Sequence, residues 1–245
     1  MTDQYAIIGY PLTHSFSPSF FNAKFQKEGI DANYSAMPIA EIAEFPVLIA
    51  ANPQLKGLNV TIPYKQSVIP FLDELDVAAA KIGAVNCIGI RGGKTKGYNT
   101  DVIGFERSLR PLLQPQHEYA LILGTGGVAK AVAYVLQQKG ISYKVVSRTA
   151  APGLLVYNEL TPEMILKFKF IINTTPLGMF PATSDCPPIP YEGIGSKHLV
   201  YDLIYNPEET KFLAHAKAQG ALIKNGLEML HTQALAGWDI WNEVR

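Results

Sequence analysis

Residues 119–140 read YALILGTGGVAKAVAYVLQQKG, and the fold turns on this stretch. Tyr119–Leu123 is a short apolar run of the kind a strand buried on both faces needs. The glycine-rich turn GTGG then stops it, and a helical pattern follows at once. Gly124, Gly126 and Ala129 fit G-x-G-x-x-A: the first glycine allows the turn, the second admits a pyrophosphate, and the small third residue lets the helix approach the strand. The helix N-terminus faces the anion. Gly124, Thr125, Gly126, Gly127, Val128 and Ala129 are thus the candidate dinucleotide-binding turn. A glycine turn in some other α/β crossover is the plainer alternative, and the flanking strand and helix argue against it.

With 245 residues, 48% of them hydrophobic, the chain has room for two modest cores, so two α/β lobes are expected. Its 21 Lys and Arg balance 21 Asp and Glu, which speaks for a small-molecule partner over nucleic acid or an anionic membrane. Cys87 and Cys186 stand apart, with no CxxC or Cys/His cluster, so neither a metal site nor a disulfide framework is expected. The first apolar strand is too short for a signal sequence, and no later run approaches about 18 apolar residues. The expectation is a cytoplasmic protein without a membrane span.

Outward from the turn, strand and helix patterns alternate, which predicts mostly parallel sheets. In the first lobe, strands are expected at 5–9, 33–37 and 57–61. A helix starts with Ser17 as N-cap and Pro18 at its first position, and a second over 39–50 is interrupted by Pro46. Residues 63–65 open a helical turn, 76–82 continue helically, and 87–90 with 94–98 form a hairpin around Gly92-Gly93. A connecting helix over 100–113 precedes the linker 114–116. In the second lobe, strands are expected at 143–146, 170–173, 198–202 and 221–223, with helices at 162–168 and 208–219. The crossover 149–161 contains Pro152-Gly153 and has little room for a helix. The last helix, 227–241, is long and apolar enough to pack back on the first lobe.

The cofactor's identity is expected to be set at the strand end after the glycine turn, where an Asp or Glu would take the ribose 2′-hydroxyl of NAD. The residues there are Ser147, Arg148 and Thr149. An arginine in place of a carboxylate offers a planar fork to a 2′-phosphate, so NADP is expected. In the first lobe, Ser15 and Ser17 follow the first strand, Asn59, Thr61 and Lys65 the third, and Asn86, Asn99, Thr100 and Asp101 lie near the edges of the hairpin and its exit. Singly, these read as caps, turn formers and an exposed lysine.

Together they form an ordered set. GYPLTHSFSPSF (9–20), GLNVTIPYK (57–65), GAVNC (83–87), GYNTD (97–101), the glycine turn, SRT (147–149), NTTPLGM (173–179), YDLIYNPEET (201–210) and GLEMLHTQA (226–234) resemble the shikimate dehydrogenase family over essentially the whole chain. The resemblance implies a substrate-binding and catalytic domain over 1–100, completed by 227–245, and a Rossmann-like NADP-binding domain over 101–226. It implies reversible, NADPH-dependent reduction of 3-dehydroshikimate to shikimate in aromatic amino acid biosynthesis, by a monomer or homodimer. It gives Ser15 and Ser17 to the substrate carboxylate, Lys65 and Asp101 to the catalytic pair, and Asn59, Thr61, Asn86, Tyr205 and Gln233 to substrate contacts. Thr174, Gly226 and Met229 fall to the cofactor side. SRT stands where the family has NRT, GAVNC where it has GAVNT, and the helix after SRT is shortened. His14 reads as a turn residue. Three rivals stay open: a quinate or dual-specificity dehydrogenase, a catalytically silent NADP-binding regulator, and an NADPH-dependent reductase acting on another small hydroxylated ring acid. Ser17 leans against the first, and retention of Lys65 with Asp101 against the second.

Overall fold

A computed structural model describes residues 2–12 and 15–243. His14, expected in a turn, lies outside the described residues. The chain divides into two compact units, Met1–Thr100 with Ala234–Arg245, and Asp101–Gln233. Among the described residues no helix is long and apolar enough to cross a membrane.

The first unit contains β1 (Asp3–Ile8), α1 (Phe16–Glu28), β2 (Ala32–Ala36), α2 (Phe45–Ala51), β3 (Leu55–Val60), β4 (Glu74–Leu75), α3 (Val77–Ile82), β5 (Cys87–Arg91) and β6 (Lys94–Tyr98). Its sheet runs β2-β1-β3-β5-β6-β4. β1, β2 and β3 are parallel, whereas β5 pairs antiparallel with both β3 and β6, so the hairpin makes the sheet mixed. Successive strand residues face opposite sides. Ala6 and Ile8 join Leu58, Val60, Ile88 and Ile90 in one core, and Tyr5 and Ile7 join Phe21, Phe25, Tyr34 and Trp241 in another. Residues Ala234–Trp241, the C-terminal half of the last helix, belong to this second core. Trp241 anchors them: its Nε1 donates to the Ile88 carbonyl at 3.0 Å, and its ring stacks on Tyr5 with centroids 5.0 Å apart.

Several local expectations are corrected. α1 starts at Phe16 with Ser15 as N-cap, so Pro18 sits third in the first turn, where its missing N–H has no intrahelical partner to lose. Pro46 does not interrupt a helix. A 3-10 turn over Ile42–Glu44 leads into α2, and Pro46 occupies its opening turn. Residues 62–68 form consecutive turns, with one helical turn closed by the Val68 N–H on the Tyr64 carbonyl at 3.0 Å, and Lys65 stands on this segment, held by the Tyr64 hydroxyl, which donates to the Ile39 and Ala40 carbonyls at 2.8 and 2.7 Å.

The second unit contains α4 (Asp101–Leu109), β7 (Tyr119–Leu123), α5 (Gly127–Gln138), β8 (Ser142–Ser147), β9 (Leu154–Val156), α6 (Pro162–Lys167), β10 (Phe170–Asn173), β11 (Leu199–Asp202), α7 (Lys211–Ala218), β12 (Leu222–Lys224) and the start of α8 (Leu227–Trp241). The sheet order is β12-β11-β10-β7-β8-β9, parallel throughout. Ala120 and Ile122 face α4 and α5 through Phe105, Leu109, Val132 and Leu136. Leu121 and Leu123 face α6 and α7 through Ile165, Phe212 and Leu213. The connecting helix is shorter than 100–113, since α4 passes into a 3-10 turn at Arg110–Leu112. The helix expected over 208–219 begins only at Lys211, where the Thr210 hydroxyl caps it by accepting from the Leu213 N–H at 3.3 Å. The crossover after β8 holds no α-helix. Parallel neighbours ordinarily need a dozen or more connecting residues, yet 148–153 suffice because β9 pairs only with the last residues of β8, Val145–Ser147.

Candidate functional site

In the second unit the strand order reverses between β7 and β10, the position where open α/β sheets bind ligands at strand carboxyl ends. Gly124 sits there with φ +113°, a conformation side chains rarely tolerate. A Cβ on it would lie 2.6 Å from Thr174 Oγ1 and 3.0 Å from Thr175 Cγ2. Thr174 holds that position because its hydroxyl and its N–H both donate to the Leu123 carbonyl, at 2.7 and 2.9 Å. Gly126 is the N-cap of α5 and makes no side-chain cap bond, and a Cβ added to it meets nothing within 4 Å. Open space thus lies over the first turn of a helix whose amides carry the positive end of the dipole, and this cradle fits a dinucleotide pyrophosphate. Thr125 is exposed, Gly127 and Val128 are half-buried, and Ala129 is buried against the sheet.

At the end of β8 the Ser147 oxygen accepts the Thr149 N–H at 3.1 Å, which folds the chain back and leaves Arg148 exposed. The register pair Ser147↔Val156 brings Tyr157, next after Val156, to the same strand edge as Arg148. Gly226 is buried and donates its N–H to the Ile204 carbonyl at 2.9 Å; Met229 is buried one turn further along α8. Tyr205 stays 37% exposed in the loop after β11, and Gln233 Nε2 donates to the Leu230 carbonyl at 3.0 Å.

In the first unit the polar residues gather at the carboxyl ends of β1 and β3 and the start of β5. Ser15 is the N-cap of α1 without a side-chain cap bond, so its hydroxyl is not committed to the helix. Ser17, Asn59 and Asn86 are buried. One buried tyrosine, which sequence reasoning missed, joins two of them: the Tyr34 hydroxyl donates to Asn59 Oδ1 at 2.6 Å and is hydrogen-bonded to Ser17. Burial pushes that hydroxyl's pKa well up, and the Ser17 bond opposes the shift. Asn59 Nδ2 in turn donates to the Asn86 carbonyl at 3.2 Å, and Asn86 Oδ1 accepts from the Thr100 N–H and hydroxyl at 2.7 and 3.2 Å. Thr100 is fully buried, and Asp101, the residue after it, opens α4. Thr61 is placed by its N–H to the Ile8 carbonyl at 3.0 Å, and the Lys65 carbonyl accepts the Val85 N–H at 2.7 Å.

Among the described residues Asn99 Oδ1 is a buried acceptor with no hydrogen-bond partner, although its Nδ2 donates to the Ala84 carbonyl at 2.9 Å. An unmet buried acceptor costs about 1–3 kcal/mol. Asn99 is among the polar residues expected at the hairpin's exit, whereas nothing in the local sequence singles out Tyr34, because its hydroxyl meets Asn59 only through sheet register.

The profile of the shikimate dehydrogenase substrate binding domain matches residues 7–88. A protein of Methanosphaera stadtmanae named shikimate dehydrogenase (NADP(+)) is 37% identical over 96% of this chain and 89% of its own length. A protein of the same name from Methanococcus maripaludis is 38% identical over 96% of this chain and 90% of its own. The crystal structure of shikimate 5-dehydrogenase from Thermus thermophilus in complex with NADP(H) and shikimate has a TM-score of 0.87 and 30% identity, covering 99% of this chain and 94% of that one. With the mixed sheet, the parallel Rossmann-like sheet and its glycine cradle all inside the matched length, the chain belongs to the shikimate dehydrogenase family.

Proposed function

We propose that this chain catalyses the reversible reduction of 3-dehydroshikimate to shikimate with NADPH. The observation that carries the reading is the match over 96% of the chain to a relative named shikimate dehydrogenase (NADP(+)), which takes in the glycine cradle, Lys65 and Asp101 together. NADPH, when bound, supplies the hydride that converts the ring ketone to an alkoxide. The chain's own residues then have three tasks. Ser15 and Ser17 hold the substrate carboxylate, and Asn59, Thr61, Asn86, Tyr205 and Gln233 fix the ring hydroxyls. Lys65 donates the proton the nascent alkoxide needs, and Asp101 orients the ammonium and accepts from a substrate hydroxyl. Gly124 to Ala129 seat the pyrophosphate, Arg148 with Ser147 and Thr149 takes the 2′-phosphate, and Thr174, Gly226 and Met229 line the cofactor's path.

The first unit is thus assigned to substrate, and residues 101–226 to NADP. The balanced charge supports a small-molecule partner and gives no purchase for nucleic acid or an anionic membrane, and a cytoplasmic location goes with a biosynthetic reductase. The test is NADPH consumption with 3-dehydroshikimate, beside shikimate and quinate oxidation at one cofactor concentration. Turnover with 3-dehydroshikimate is expected, and Lys65→Ala is expected to lower kcat by about 10²–10⁴ while the Kd for NADPH stays put. A chain that binds NADPH yet turns nothing over would be the silent regulator, and near-normal kcat in Lys65→Ala would remove the lysine from its role.

A further inference from the structure

The proposed reaction leaves one wholly buried carboxyl without a task. Asp202 ends β11 with 0% of its surface exposed. Three donors converge on it: Asn173 Nδ2 at 3.0 Å and the Ile204 N–H at 3.1 Å on Oδ1, and the Thr210 hydroxyl at 2.6 Å on Oδ2. From Asn173 the chain of bonds continues, since its Oδ1 accepts the Thr175 N–H at 3.0 Å and the Thr175 hydroxyl at 2.7 Å. Thr174 and Thr175 are the residues whose side chains lie against Gly124 of the glycine cradle. On the other side, the Ile204 carbonyl receives the Gly226 N–H at 2.9 Å, and the Leu203 N–H donates to the Asn173 carbonyl at 3.0 Å. Gly226 leads straight into α8 and Met229. Asp202 therefore ties the turn after β10, which lies against Gly124 of the cradle, to the segment that leads into α8.

We propose that Asp202 is a positioning residue for the dinucleotide: by holding Asn173, Ile204 and Thr210 it sets where the Thr174–Thr175 turn and the Gly226 start of α8 stand, and so sets cofactor affinity. The inference rests on the reading of this unit as the NADP site. A carboxylate suits the place because all three neighbours arrive as donors, and the Thr210 oxygen already accepts the Leu213 N–H, leaving its proton for Asp202. An amide there would turn an N–H towards a donor. Burial pushes the carboxyl up to about 6, against the opposing pull of Thr210, Ile204 and Asn173, so at neutral pH it is the anion these donors require.

The experiment compares the full chain with Asp202→Asn. NADPH binding is followed by nicotinamide fluorescence, shikimate binding without cofactor by calorimetry, folding by thermal melting, and kcat at saturating NADPH. Asp202→Asn is expected to raise the Kd for NADPH by about ten- to a hundredfold, with shikimate binding and saturated kcat close to the parent's. Unchanged NADPH affinity in a folded variant, or an equal loss of shikimate affinity, would overturn the inference. If Asp202→Asn does not fold, Thr175→Val keeps the methyl against Gly124 and removes the hydroxyl that donates to Asn173 Oδ1 at 2.7 Å and accepts the Leu177 N–H at 3.3 Å. A several-fold rise in its NADPH Kd supports the positioning role, and no rise overturns it. Failure of the unmodified chain to bind NADPH would instead strike the functional reading itself, and this inference with it.

Discussion

At Tyr34 one hydroxyl serves two candidate site residues, bonding Ser17 and donating to Asn59 Oδ1. Tyr34→Phe keeps the ring stacked on Phe21, whose centroid is 4.8 Å away, and removes only that donor. The variant is expected to lose about 1–3 kcal/mol of stability, from a buried acceptor left unmet, and to bind shikimate several-fold more weakly with NADPH affinity unchanged. Urea melts and calorimetry check both; equal loss for both ligands would make the effect global. Arg148 poses the opposite case, an exposed side chain whose value depends on a phosphate. Screening at an exposed site puts its effect at the low end of charge-assisted bonds, about tenfold. Arg148→Gln is expected to raise KM for NADPH by about that factor and leave KM for NADH nearly still, and parallel rises for both cofactors would remove Arg148 from the 2′-phosphate. The types and spacing of Lys65, Asp101 and Arg148 were legible in the sequence because motifs carry them. Tyr34 was not, since ANYSA reads as an ordinary short strand until register sets it beside β3's neighbour β1 and the α1 face.

Among the elements, the β7–turn–α5 unit was the most readable, for an apolar run, a glycine turn and a helix pattern are all local. Its weak point is equally local. Gly124→Ala combines an unfavourable positive φ with a Cβ 2.6 Å from Thr174 Oγ1. It is expected to cost about 1–3 kcal/mol from backbone strain alone and to weaken NADPH binding at least as much as Arg148→Gln does. Chemical unfolding with nicotinamide fluorescence tests this, and a variant with parental stability and affinity would contradict the close packing. Helix starts were read less well. Ser17 and Ser15 are both good caps by type, and Pro46 breaks or opens a helix according to where the preceding 3-10 turn ends, which hydrogen bonding decides and composition does not. The β8–β9 crossover was legible as too short for a helix. What could not be read was that a three-residue strand would follow it, because β9 is stabilised only by its pairing with Val145–Ser147.

For the molecule as a whole, Asp202 gives stability a pH dependence of unusual sign. Its carboxyl is raised from 3.8 to about 6 in the folded chain, so folding favours the protonated form. The stabilisation is full below about 4 and is lost as pH rises through about 6, by on the order of 3 kcal/mol. His117, held neutral by burial, runs the other way, its contribution falling as pH drops below the ordinary imidazole range. The difference between the parent and Asp202→Asn isolates the carboxyl: urea unfolding is expected to show parent stability declining relative to the variant between pH 4 and 7, and parallel curves would refute the raised value. By itself the sequence determined the α/β class, the glycine turn between strand and helix, and the family motifs, because these depend on residue type and short spacing, where periodicity and backbone sterics act. Only the tertiary structure decided that β5 pairs antiparallel with β3 as well as with β6, that Trp241 is the α8 residue that bonds the Ile88 carbonyl, that Tyr34 bonds both Ser17 and Asn59, and that Asn173, Ile204 and Thr210 converge on Asp202. Those outcomes depend on strand register and on which distant donors meet a buried acceptor, and contacts of that kind carry no local signature.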